Sequence, residues 1–237
     1  MNYINIKWNR ETYLEFIKEL EGMRDIQYKE FHEKIIAYDG EVIGVRSPII
    51  KEMAKEIAKG DWKGFLAQEK GKYYEETVIR GLVIGFIKED REIVKREIEK
   101  FIAEINNWGV CDSFISNLKI IKKNKEYFFP LIKSMGKSDN QWKIRFSLVC
   151  LLGYYLEKEY LEEIFKICSG IKNKEYYVQM AQGWLISVLF VKFRNETLDY
   201  LKNNTLDSWV QNKGIQKIRE SYRVSAEDKE LVKKFKK

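Results

Sequence analysis

Apolar residues recur three and four positions apart along almost the whole chain, and period-2 alternation is nearly absent. That pattern lays an apolar stripe along a helix and gives a half-buried strand nothing to build on. Helical periodicity covers 12–20, 49–58, 73–87 and 92–105, then 111–121, 142–156, 161–168 and 175–190, and finally 206–218 and 226–235. The breaks carry helix stop and start chemistry: Lys59-Gly60-Asp61, Glu69-Lys70-Gly71, Asn106-Asn107, Gly136-Lys137-Ser138-Asp139, Ser169-Gly170 and Asn203-Asn204-Thr205. Ser47 ahead of Pro48 predicts a capping serine with proline in the first turn. The fold class this predicts is all-α.

Helix pairs from about residue 72 onward recur every 30–40 residues or so, the spacing of HEAT-like arrays, with no strict sequence repeat. Stacked antiparallel pairs bury a continuous core and produce a concave face. A helical repeat solenoid is therefore expected rather than a closed bundle. No stretch rich in Pro, Gly or Ser interrupts the chain, so residues 1–237 are expected to form a single domain.

Composition narrows the chemistry. The 237 residues hold one histidine, His32, and three scattered cysteines, Cys111, Cys150 and Cys168. Most zinc sites and any histidine-based triad with spare partners are excluded, and a disulfide framework is not expected. Trp8, Arg10 and Glu11 stand where a signal peptide needs an apolar run, and no apolar run is long enough to span a membrane. A cytoplasmic protein without membrane partners is expected. Lys+Arg number 43 against 36 Asp+Glu, a formal +7 that favours a polyanionic partner without naming one. There is no Walker loop, dinucleotide turn, CxxC or HExxH, which leaves carboxylates, aromatic faces and arginines to do any chemistry.

Three places do not fit a bland core. Trp108 and Asp112 stand four apart, so a helix beginning at or before Trp108 puts both on one face, continued by Ser116 and Lys119. They read either as a core staple with a first-turn acid favoured by the helix dipole, or as a functional pair. Arg145 precedes Leu148, Val149 and Leu152, and so rises from the edge of an apolar face. It reads either as a charge meeting an acid or external anion, or as a rim arginine whose stem lies along apolar surface. Trp184, within an apolar helix, reads as core when taken alone. Gly81 and Gly85 read as close helix packing. Two basic stretches, Lys119 to Lys125 and Lys213, Lys217, Arg219 and Arg223, are solvated faces or phosphate contacts.

Taken in order, these motifs resemble a known family. They are Gly44-Val45-Arg46-Ser47-Pro48, Tyr74-Glu75-Glu76 with Gly81 and Gly85, Trp108 with Asp112, Trp142 with Arg145, Tyr177 to Trp184, and Gln216-Lys217-Ile218-Arg219-Glu220-Ser221. Their sequence over about residues 10–225 is similar to the AlkD-type DNA alkylation repair proteins, alkylpurine DNA glycosylases built of HEAT-like repeats. The resemblance implies a curved, right-handed-type array whose concave basic face holds duplex DNA. It implies release of N3- and N7-alkylated purines, such as 3-methyladenine and 7-methylguanine, without metal or cofactor and without base flipping. Carried over by position, Trp108, Asp112, Arg145 and Trp184 are the implied catalytic set. Tyr28, Arg46, Lys119, Lys213, Lys217 and Arg219 are the implied DNA contacts, in a protein expected to act as a monomer. A DNA-binding relative without catalysis, or a helical-repeat scaffold for a protein partner, are the competing expectations.

Overall fold

A computed structural model of the chain describes residues 2–36, 38 and 40–237. It is all-α: among the described residues there is no β-strand, only an isolated bridge between Glu41 and Tyr73. The chain forms two compact units, 1–124 and 125–237.

The first unit contains α1 (Arg10–Gly22), α2 (Ile26–Ile35), α3 (Ser47–Ile57), α4 (Trp62–Ala67), α5 (Tyr74–Phe86), α6 (Arg91–Ile102), α7 (Trp108–Asn117) and α8 (Lys119–Lys123). Alternate helices stack side by side, α3 on α5 and α5 on α7. Gly81 and Gly85 are the points of closest approach, as the sequence suggests. A Cβ on Gly81 would stand 2.8 Å from the Phe101 ring, and one on Gly85 3.1 Å from the Asn117 backbone oxygen. At the start of the unit Tyr3, Trp8, Tyr13, Phe16 and Phe65 form a buried aromatic cluster, and the Tyr13 hydroxyl donates to Glu76 at 2.9 Å.

The second unit contains α9 (Lys125–Met135), α10 (Gln141–Tyr154), α11 (Lys158–Gly170), α12 (Tyr176–Lys192), α13 (Arg194–Lys202), α14 (Ser208–Glu220) and α15 (Ala226–Leu231). The same scheme holds: α10 packs on α12, and α12 on α14. Gly183 lets the α12 and α14 backbones approach, its missing Cβ standing 3.3 Å from the Gly214 nitrogen. The stacked helices begin at residues 74, 108, 141, 176 and 208, a helical repeat of roughly 30–35 residues.

A polar device recurs in the repeat. Arg80 of α5 donates to the carbonyls of Leu66 and Gln68, at the end of α4. Gln182 of α12 donates to Cys168 at the end of α11, and Gln211 of α14 to Leu201 at the end of α13. Each buried side chain thus satisfies carbonyls that a helix C-terminus leaves without an intrahelical partner. The three cysteines are buried thiols, and burial pushes the Cys168 thiol up to about 12.

Two local expectations are corrected. Ser47 is the first helical residue of α3 rather than its cap. Arg46 occupies the cap position without a side-chain bond, and the Ser47 hydroxyl lies 3.2 Å from that of Tyr28. The stretch 111–121 is not one helix. The Asn117 amide donates to the Ser113 carbonyl at 2.8 Å, and Leu118 leaves helical geometry (φ −76°, ψ 55°). Lys119 therefore opens α8, exposed, and does not extend the Trp108–Asp112 stripe. No helix among the described residues is long and apolar enough to cross a membrane.

Candidate active site

In the first unit the site is built around the start of α7. The buried Asn107 accepts from the backbone N–H groups of Gly109 (2.6 Å) and Val110 (3.2 Å), so the helix begins at Trp108. Asp112 then follows one turn later on the same face. Both side chains are half-buried, neither core nor fully solvated. The Trp108 indole N–H donates to the Ile35 carbonyl at the end of α2, at 3.3 Å.

Tyr74, in the first turn of α5, meets the start of α7. A Cβ on Gly109 would stand 2.7 Å from its hydroxyl, so the glycine lets the phenol lie against the first turn of α7. Burial pushes the Tyr74 pKa up, reinforced by the negative charges of Glu75 and Asp112 and by Tyr28 and Tyr38. Beside it stand His32 and Tyr28, one turn apart on α2. Ring centroids are 5.0 Å apart for His32–Tyr74 and 5.3 Å for Tyr28–His32, both edge to face. Sequence reasoning placed Tyr28 here and left out Tyr74 and His32. Their signals were a tyrosine at a helix start and a lone histidine, neither of which has a spacing that marks function.

The segment that brings α2 and α3 together is clamped from below. Glu75, 1% exposed, accepts from the consecutive N–H groups of Ile43 (2.9 Å), Gly44 (2.7 Å) and Val45 (3.2 Å). Three successive N–H groups converge because Gly44 takes φ +94°, a conformation that favours glycine. The motif Gly44-Val45-Arg46-Ser47-Pro48 is thus a cradle for a carboxylate of the chain itself. Arg46 extends from it to Asp25, with Nε at 2.8 Å and Nη2 at 2.7 Å, and lies 5.5 Å from the Tyr28 ring. The backbone N–H of Tyr28, this arginine and its charge hold the Asp25 carboxyl below its ordinary value.

In the second unit Asn140 caps α10 through the N–H groups of Trp142 and Lys143. Arg145, one turn in, is 6% exposed and donates through Nη1 to the Tyr177 carbonyl at 2.9 Å. The rim reading is therefore overturned: the guanidinium is inside, bracing the first turn of α12. Above it the Trp142 and Tyr177 rings lie 5.4 Å apart. Trp184 corrects the sequence the other way. Its neighbours Gln182, Gly183, Leu185 and Ile186 are buried, but the indole is 36% exposed. Lys213 and Lys217 share one stripe of α14, half-exposed, with the Lys213 Nζ 5.3 Å from the Trp209 ring. Arg219 lies two residues on and so on the other side of the helix. Its Nε is buried, and its charge, after Lys233, helps hold Glu230 below the ordinary carboxylate value. That removes it from the face that Lys213 and Lys217 present.

A family model described as DNA alkylation repair enzyme matches residues 16–218. The chain belongs to that family. The span takes in every residue singled out above from Tyr28 to Lys217, and stops one residue short of Arg219. A search of curated proteins returns no match. Among the described residues no three His, Cys, Asp or Glu side chains gather as a metal site would require.

Proposed function

We propose that this DNA alkylation repair enzyme is a glycosylase, hydrolysing the N-glycosidic bond of N3- and N7-alkylated purines in duplex DNA. The observation that carries the reading is the Trp108–Asp112 pair, set on one face of α7 by the Asn107 cap and held half-buried against Tyr74. Alkylation at N3 or N7 makes the purine cationic. When the C1′–N bond breaks, its electron pair goes to the base, which leaves neutral and needs no acid.

What needs help is the oxocarbenium-like sugar left behind. A carboxylate fixed in a partly desolvated place stabilises that charge and orients the water that adds to C1′, whose proton passes to the carboxylate and then to solvent. Asp112 takes this role. Trp108, one turn before Asp112 on the same helix face, offers a π face to the developing positive charge. Arg145 acts as a positioning residue through the Tyr177 carbonyl. Lys213, Lys217 and Lys119 supply phosphate contacts and Arg46 a further cation, while the base stays unflipped and no metal takes part.

Purified protein incubated with methylated duplex DNA and EDTA is expected to release 7-methylguanine and 3-methyladenine. Asp112→Asn is expected to slow release by about 10²–10³, by analogy with other fixed electrostatic groups, while binding duplex DNA as well as wild type. Equal rates in the two proteins end the assignment of Asp112. Activity lost on chelation ends the metal-free mechanism.

A further inference from the structure

The helices that mark the repeat all open on an aromatic residue. Tyr74 and Trp108 are the first residues of α5 and α7, Trp142 is the second of α10, Tyr176 and Tyr177 are the first two of α12, and Trp209 is the second of α14. In the first unit the position is used for packing. Tyr74 is buried, and the half-buried Trp108 is tied to the Ile35 carbonyl. In the second unit the same position comes out to solvent: Tyr176 is 57% exposed and Trp209 36%.

The second unit's rings meet in a row that runs from α10 across α12 to α14. Centroids are 5.4 Å apart for Trp142 and Tyr177, 5.3 Å for Tyr177 and Tyr176, and 6.2 Å for Tyr176 and Trp209, the last two steps edge to face. The half-buried Trp142 and Tyr177 back the two exposed rings. At the far end the Trp209 N–H donates to its cap, Asp207, at 2.8 Å. A contiguous exposed aromatic surface marks a place of interaction rather than a core that happens to show. The charges around it narrow the partner. Lys174 offsets Asp207 at 3.4 Å, while Lys213, 5.3 Å from the Trp209 ring, and Lys143, next to Trp142, outweigh the exposed Glu175. The row is therefore basic as well as aromatic.

Duplex DNA keeps its base faces inside the stack and has none to offer an exposed ring. An unpaired base offers its π-face to any aromatic side chain, and rings set among cations are the arrangement that follows a single strand. We propose that this row is a binding site for single-stranded DNA, with unpaired bases packing on Tyr176 and Trp209 and with Lys143 and Lys213 meeting the phosphates. The site is additional to excision and does not depend on Asp112. It gives a DNA alkylation repair enzyme a hold on a strand whose complement is missing.

The test is fluorescence anisotropy of the full chain with a short labelled oligothymidylate, beside an abasic deoxyribose-phosphate chain of the same length. The two ligands carry the same charge, so the bases alone separate them. Oligothymidylate is expected to bind more tightly at every salt concentration. Tyr176→Ala and Trp209→Ala are each expected to weaken it by about fivefold or more, the loss of one stacked base, and Tyr176→Trp to keep it. Affinity for the abasic chain is expected to be the same in all four proteins, which shows the variants to be folded. The proposal is overturned by equal affinity for the two ligands, by alanine variants that bind oligothymidylate as well as wild type does, or by binding confined to duplex DNA. Concentration-dependent sedimentation that disappears in Tyr176→Ala, with no oligothymidylate bound, makes the row a contact between copies of the chain and overturns it too.

Discussion

Glu75 holds together the part of the molecule that presents Tyr28, His32 and Ser47. Its carboxylate accepts from three backbone N–H groups that have no water to turn to if it is removed. Glu75→Ala is expected to lower stability by roughly 3 kcal/mol or more, read from urea unfolding, and to speed amide exchange at Ile43, Gly44 and Val45. Unchanged exchange at those three amides would falsify the clamp. The motif pairing Gly44 to Pro48 with Tyr74-Glu75-Glu76 was visible in the sequence as two separate strings. That one is the anion for the other was not, because a contact across some thirty residues leaves no local period. The Trp108–Asp112 pair was legible because four residues make one helical turn. Arg145 was left open between a partnered charge and a rim residue, and Trp184 read as core when taken alone, for a related reason. Periodicity says which stripe a residue lies on and nothing about which neighbour covers it.

At the scale of elements, the helices with a strong apolar stripe were legible and those stabilised otherwise were not. The periodic windows left out α2, which buries none of its residues, and α4, which is six residues long. They also left out α9, which carries Pro130 in its interior, and the mostly polar α13. Close packing between helices was easier to read. Gly85→Ala is expected to destabilise by about 1–3 kcal/mol, because its Cβ would press on the Asn117 backbone and force α5 from α7. Gly153→Ala, on an exposed stretch of α10 with nothing within 4 Å, is expected to stabilise by about 0.5–1 kcal/mol. Denaturation midpoints that move the same way in both variants contradict this account. As α7 carries Asp112, the first substitution is also expected to slow excision, and the second to leave it alone.

Across the whole molecule the repeat is written in geometry more than in letters. Arg80, Gln182 and Gln211 differ in type and stand at unequal intervals, yet each reaches the carbonyls that close a preceding helix. A sequence comparison of one repeat with the next sees an arginine and two glutamines; the fold sees one polar brace used three times. The burial of the cysteines has a chemical consequence of its own. A DNA alkylation repair enzyme works where methylating electrophiles reach DNA, and thiolates compete with purine nitrogens for the same reagents. Cys111, next to Asp112, is fully buried, as is Cys150, and the Cys168 thiol is both buried and hard to ionise. The folded protein therefore offers those reagents no ready thiol. A thiol-specific disulfide reagent is expected to leave the native protein untouched and to titrate three thiols once it is unfolded. A rapidly reacting cysteine in the native state would contradict that shielding. Such a protein can keep its cysteines unmodified in a cell whose genome is being methylated, so that its thiols outlast the damage it answers.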